Sequence, residues 1–236
     1  MNGEFDYIRK NLEIVRTKIE KAAQKSGRSL KDINIIAVTK TIEPERIVKI
    51  IDEGIVDLGE NRVQELTKKY DIINKDCKWH IIGHLQTNKV KYIIDKVKMV
   101  HSVDRIELAR EIQNRAHKAG KIIDILVQVN ISGEETKFGI STDEVLGLVK
   151  QISLFKNLSV KGLMTIAPYA EIPETTRYVF RKLRDVSIDI QKEKIDNISM
   201  EFLSMGMSND FEVAIEEGSN MVRIGTALFG ERQYTK

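Results

Sequence analysis

The chain has 236 residues, 42% of them hydrophobic and 31% charged. At this size about 70% of the unfolded surface is buried on folding, enough for one large α/β domain. Thirty-eight Lys+Arg against thirty-five Asp+Glu leave a formal charge of +3, too small an excess for a nucleic-acid footprint, and no basic stripe is interleaved with aromatics. Cys77 is the one cysteine, which excludes an intrachain disulfide and a thiolate metal cluster.

The N-terminal stretch is charged throughout and lacks an apolar signal core. No run approaches the ~18 apolar residues of a membrane span, so a cytoplasmic protein is expected. Apolar positions Phe5, Ile8, Leu12, Val15 and Ile19 recur at helical spacing and predict a helix over 4–24, stopped near Gly27. A strand at 34–39 follows, then a helix opening at Pro44. The alternation repeats with strands at 55–59, 78–83 and 98–103, and helices over 61–73, 86–95 and 104–120. Asp104 is the expected N-cap of the last. A strand at 124–130 precedes a helix over 141–155, where Ser141 and Glu144 fit a capping box. Strands at 160–167, 201–206 and 220–225 complete the set, with helices from Pro173 and over 210–218 and a closing turn at "TALFG".

Eight strands, seven full intervening helices and one leading helix predict a single (β/α)8 TIM barrel over 1–236, with an extra N-terminal helix. The alternative is a doubly wound open sheet. It wants a Gly-rich fingerprint after the first strand, and "AVTKTIEPE" has none.

In a barrel the C-terminal strand ends face one shared site. Lys40 is the sole lysine among those ends. It reads either as a snorkelling surface lysine or as a desolvated amine able to condense with a carbonyl. "GMSND" and "RIGTALFG" place glycines, Ser208 and Thr226 after strands seven and eight. This pattern suits either ordinary turns or the usual phosphate site of a barrel. Strand one adjoins strand eight in a closed barrel, so a phosphorylated aldehyde would satisfy both features. Pyridoxal 5'-phosphate is such a molecule. Arg223 is expected on the floor of this pocket or, alternatively, paired with a buried carboxylate. His80 and His84 lack the helical spacing of a metal site. His101 reads as a ligand, a base or a hydrogen-bonded core residue, and His117 as a helix-end cation.

The stretches "AVTK", "LGENRVQE", "WHIIGHLQTNK", "HSVD", "QVNISGEETKFG", "GLMTIAP" and "LSMGMSNDFEVAIEEGSNMVRIGTALFG" extend over about residues 34–230. In this order and spacing they resemble the pyridoxal phosphate homeostasis proteins (YggS/PROSC type), which are related to the N-terminal barrel of alanine racemase. The resemblance implies that Lys40 holds pyridoxal 5'-phosphate as a Schiff base. It implies that Ser208, Gly225 and Thr226 contact the phosphate, that Arg223 faces the pyridine nitrogen, and that Asn61, Met205 and Met207 line the pocket. It further implies a role in intracellular vitamin B6 homeostasis without established catalysis, with enzymes that accept the cofactor as partners. The alternative is a weak racemase or lyase acting on amino acids. A monomer is expected, with a dimer as the alternative; nucleic acid and membrane are not expected as partners.

An arginine scarcely releases a proton to a pyridine nitrogen, so the ring remains a weak electron sink. Few residues follow the last predicted strand, so no second domain is expected to supply a base on the opposite face. The chain departs from the family at His84, where proline, serine or arginine is usual. That position is expected near the pocket mouth.

Overall fold

The computed structural model describes residues 5–134 and 136–231. Helix α1 (Asp6–Lys25) leads the chain; the predicted start at Glu4 lies outside the described residues. Ile8, Leu12, Val15 and Ile19 are buried at the spacing read from the sequence, and this face packs on the last two helices of the fold.

Eight strands follow: β1 (Asn34–Val38), β2 (Asp57–Glu60), β3 (Lys78–Ile81), β4 (Val97–Val103), β5 (Ile123–Gln128), β6 (Leu158–Met164), β7 (Ile198–Met207) and β8 (Met221–Ile224). They form a closed barrel in sequence order. Every neighbouring pair is parallel, including β1 with β8, so the open-sheet alternative is excluded. The outer layer contains α2 (Pro44–Asp52), α3 (Val63–Ile72), α4 (Ile106–Lys118), α5 (Val145–Ile152), α6 (Arg177–Lys192), α7 (Phe211–Glu216) and α8 (Thr226–Phe229).

The connection after β3 corrects the expected full helix: residues Thr87–Tyr92 form a 3-10 helix. The segment from Pro173 likewise begins as a 3-10 turn (Pro173–Thr176) before α6. Two predicted caps also differ. Arg105, not Asp104, is the cap residue of α4, and Asp104 accepts a bond from the Arg105 guanidinium at 2.5 Å. Ser141 donates to the Glu144 carboxylate at 2.5 Å, but this pair sits in the turn before α5 rather than on its first turn. In both cases a side-chain partner outcompetes the backbone N–H groups.

Strand side chains alternate between two environments. One set, including Ala37, Trp79, Val100, Ile125, Leu163 and Val222, joins the large apolar layer between sheet and helices. The other set points into the lumen, where Ile36, Met99, Leu126, Met164 and Met221 form a separate small core. Phe202 packs against this core, and two residues beyond Met99, Phe202 and Met221 the side chains of His101, Ser204 and Arg223 occupy the same side and are all buried. Polar side chains therefore stand in the lumen towards the C-terminal ends, where a binding site at the top of a barrel needs them.

Candidate functional site

The site begins with the turn after β1. Lys40 is half-buried there, next to Thr41 at φ 61°. A β-branched residue in the left-handed region costs about 1–3 kcal/mol and persists only when its surroundings over-determine it. The surroundings do so here. The Thr41 N–H donates to Glu65 Oε2 at 2.8 Å, and its hydroxyl donates to the Lys40 carbonyl at 2.6 Å. Lys69 Nζ reaches from α3 to the Thr39 carbonyl at 2.7 Å, to Glu60 Oε1 at 2.7 Å and to Glu65 Oε2 at 3.3 Å. Thr39 Oγ1 also donates to Glu60 Oε1, at 2.6 Å.

Glu60 is fully buried. Its second oxygen, Oε2, has no hydrogen-bond partner among the described residues. Burial pushes the Glu60 carboxyl up from its ordinary range, against the opposing pull of Lys69 and Thr39. Burial would raise Glu65 too, but the Thr41 N–H and Lys69 outweigh it and hold that carboxyl low. Sequence reasoning missed this support. The only signal for it was the spacing of Glu65 and Lys69, four apart on one helix.

The turn after β8 lies beside that loop. The parallel register pairs Ile36 with Arg223 and Ala37 with Ile224. Lys40 and the Gly225–Thr226 turn therefore emerge from adjacent strand ends. Ser208, beyond β7, joins them: its Oγ accepts the Gly225 N–H at 3.1 Å and the Ala227 N–H at 3.3 Å. Thr226 is exposed, whereas Gly225 is buried. Gly206 takes φ +91°, and a Cβ there would lie 2.6 Å from Ala214 Cβ and 2.9 Å from Phe211 Cα. Glycine thus allows α7 to press against the loop that carries Ser208.

Arg223 is buried in the lumen under these loops. Its Nη1 donates to Ser204 Oγ at 2.7 Å and its Nη2 to the Thr165 carbonyl at 2.8 Å. Among the described residues, the alternative of a carboxylate ion pair is not realised. Asp210 acts on Arg223 only at a distance, and full burial pushes the guanidinium down to about 10. It therefore remains a cation at neutral pH, with two of its five N–H donors used in these bonds.

Asn61 follows β2 on the other side of Lys40 and is half-buried. Gly83 permits its placement: a Cβ at Gly83 would lie 2.6 Å from the Asn61 carbonyl oxygen. Asn61 and His84 line one surface pocket with Gln86 and Lys89. The His84 ring stacks on Phe138 with centroids 3.9 Å apart and an 18° interplanar angle. The departure at His84 therefore lies in the same surface pocket as Asn61.

Met205 is a correction. Its side chain is fully buried in the outer apolar layer, whereas Ser204, one residue earlier, bonds Arg223 within the lumen. Strand alternation turns Met205 away from the shared face. Met207, at the end of β7, is exposed.

Comparison with known proteins fits this architecture. A family model described as "Alanine racemase, N-terminal domain" matches residues 6–233. A relative from Aquifex aeolicus, a "Pyridoxal phosphate homeostasis protein", is 48% identical over 224 residues, which cover 94% of this chain and 97% of that protein. The chain belongs to the pyridoxal phosphate homeostasis protein family. Two solved structures extend the likeness. A protein of Bifidobacterium adolescentis superposes with a TM-score of 0.88 at 31% identity, covering 97% of both chains. PipY of Synechococcus elongatus, solved with PLP bound, gives a TM-score of 0.78 at 30% identity, covering 84% of this chain and 93% of that one. The family's barrel is thus present here, together with its relationship to the alanine racemase N-terminal domain. No helix among the described residues is long and apolar enough to cross a membrane.

Proposed function

We propose that this chain binds pyridoxal 5'-phosphate through Lys40 and serves vitamin B6 homeostasis as a carrier, passing the cofactor to enzymes that depend on it. The observation that carries the reading is the convergence of three features on neighbouring strands. A lysine lies in a braced, strained turn; a hydroxyl- and glycine-rich loop pair lies beside it; and a buried arginine bonded to Ser204 and the Thr165 carbonyl lies beneath. The fit to the cofactor is chemical. A buried guanidinium with donors to spare suits a ring nitrogen that accepts, and the N–H groups gathered at Ser208 suit a phosphate ester.

When bound, pyridoxal phosphate supplies an aldehyde for the lysine amine and an electron-accepting ring. The chain's own residues hold that group. Lys69, Glu60 and Glu65 fix the backbone on both sides of Lys40. Ser208, Gly225 and Thr226 address the phosphate, and Arg223 keeps its proton and offers only donors to the ring. Asn61 and Met207 complete the proposed lining. Arg223 does not surrender a proton to the ring, which favours holding the cofactor over turnover.

The test is a visible spectrum of the purified protein with added pyridoxal phosphate, before and after borohydride, with peptide mapping. The expected result is a band that borohydride bleaches, leaving a stable adduct on the peptide containing Lys40. An adduct confined to another lysine, or no band at all, would refute the reading. Thr226→Ala is expected to weaken binding by about 1 kcal/mol through loss of one hydroxyl donor to the phosphate, measured by titration. An unchanged affinity would remove Thr226 from the phosphate site.

A further inference from the structure

A line of buried polar side chains runs through the barrel from below. At its lower end Asp57, on β2, opens onto a cavity of about 340 Å³ that is also lined by Lys78, Lys98 and Asp124. Asp57 Oδ1 lies 3.0 Å from His80 Nε2. His80 Nδ1 lies 3.0 Å from His101 Nε2, with the two rings nearly perpendicular at 83°. His101 Nδ1 lies 3.0 Å from Ser204 Oγ, which accepts from Arg223 Nη1 at 2.7 Å. His80 is 2% exposed, His101 and Ser204 are 0% exposed, and Arg223 is 3% exposed. Four strands besides β2 contribute to the line: β3, β4, β7 and β8.

One arrangement of protons satisfies every contact without adding a charge. Burial alone would raise Asp57, but the His80 bond and the nearby lysines hold it below its usual range. Asp57 therefore accepts, and His80 Nε2 carries the hydrogen. Neutral His80 then presents a lone pair at Nδ1, which accepts from His101 Nε2–H. Complete burial, reinforced by the nearby Arg223 cation, keeps His101 well below the ordinary imidazole range, hence neutral. Its Nδ1 lone pair accepts the Ser204 hydroxyl hydrogen, and the serine lone pairs meet the guanidinium. The cation stands at the donor end and the carboxylate at the acceptor end, so each bond polarises the next in the same direction. Reversing the line would make Ser204 accept from both His101 and Arg223, and would turn a lone pair of neutral His80 towards the Asp57 carboxylate.

We infer that Asp57 and His80 are positioning residues for Arg223: by setting the tautomer of His101 they commit the Ser204 hydrogen downward and lock the guanidinium under the cofactor ring. The link to the ring rests on the function proposed above; the lock on Arg223 does not.

The experiment therefore has two arms. In the cofactor-free protein, nitrogen-15 spectra of labelled histidine and arginine report the tautomers and the rotation of the Arg223 guanidinium. His80 and His101 are expected as neutral Nε2–H forms in the parent. Asp57→Asn is expected to populate the Nδ1–H form of His101 and to speed guanidinium rotation. Asp57→Glu, which keeps the carboxylate, is expected to retain the parent pattern. In the second arm, Asp57→Asn is expected to weaken pyridoxal phosphate about fivefold, the worth of one hydrogen bond, with little change in melting temperature.

An Nδ1–H form of His101 in the parent would overturn the inference. So would Asp57→Asn leaving both tautomers and guanidinium rotation unchanged. Altered tautomers and rotation with unchanged cofactor affinity would confine the device to Arg223 and overturn its link to the ring. A parent that binds no pyridoxal phosphate would refute the proposed function and, with it, that link, while the first arm still decides the lock.

Discussion

Lys40→Ala is expected to abolish the borohydride-stable adduct completely while leaving the far-ultraviolet circular dichroism unchanged. Three bonds that shape the turn are made by other groups. They run from Lys69 to the Thr39 carbonyl, from the Thr41 N–H to Glu65 and from the Thr41 hydroxyl to the residue-40 carbonyl, and an alanine retains that carbonyl. What disappears is the amine that forms the covalent bond. Ser208, Gly225, Thr226 and Arg223 remain, so weaker, non-covalent binding of pyridoxal phosphate is expected to persist. Peptide mapping after reduction decides the matter. An adduct of undiminished yield in Lys40→Ala would mean that another lysine carries the chemistry, and the site described here would be wrong.

Lys69→Met is expected to be the most destabilising of these changes, by about 3–5 kcal/mol near neutral pH, the usual cost of removing one partner from a buried ion pair. Methionine fills much of the lysine stem's volume but leaves Glu60 buried with Thr39 Oγ1 as its only remaining bond among those described. It also leaves the Thr39 carbonyl without its Lys69 donor. The sign of the pH dependence follows from Glu60. Its carboxyl is already raised by burial, and removal of the nearby cation raises it further. An acid whose folded-state value exceeds its unfolded value costs nothing when both states are protonated. The cost appears as pH rises above the unfolded value of about 4.3 and is complete above the folded one. The difference between parent and Lys69→Met should therefore be large at pH 8 and shrink as pH falls towards about 4.5. Urea unfolding of both proteins at the two pH values measures it. An equal loss at both would show that the cost is packing rather than a stranded carboxylate.

The same variant bears on function. Thr41 is held at φ 61° beside Lys40, and Lys69 and Glu65 are among the groups that hold it there. The stability stored in this buried cluster thus keeps a strained turn in one conformation, and that turn carries the proposed reactive amine.

How much of this was legible in the sequence depends on the range of the interaction that decides each feature. The eight strands could be read because strand and helix are encoded by local periodicity. Lys40 and the glycine-bearing loops could be located because they follow strands in the chain. The 3-10 turn after β3 and the shifted starts of α4 and α5 were missed because helix ends are settled by a few competing side-chain bonds. Asp104 with Arg105 and Ser141 with Glu144 are two of those bonds.

The interior of the site was beyond sequence reading for a different reason. His101 meets Ser204 across 103 residues, and Lys69 reaches Thr39 across 30. These meetings depend on which side of each strand faces the lumen and how the strands are staggered around the barrel, and no local pattern specifies the stagger. The same parity sends Met205 to the outer layer while Ser204 bonds Arg223. The sequence by itself determined the order of the elements, the family and the candidate lysine, because those depend on short runs of residues. Only barrel closure decided that Arg223 lies buried against Ser204 and Thr165, that Glu60 and Lys69 brace the Lys40 turn, and that Asp57 connects to Arg223 through two histidines and a serine. Each of those outcomes requires strands distant in the chain to meet in one register.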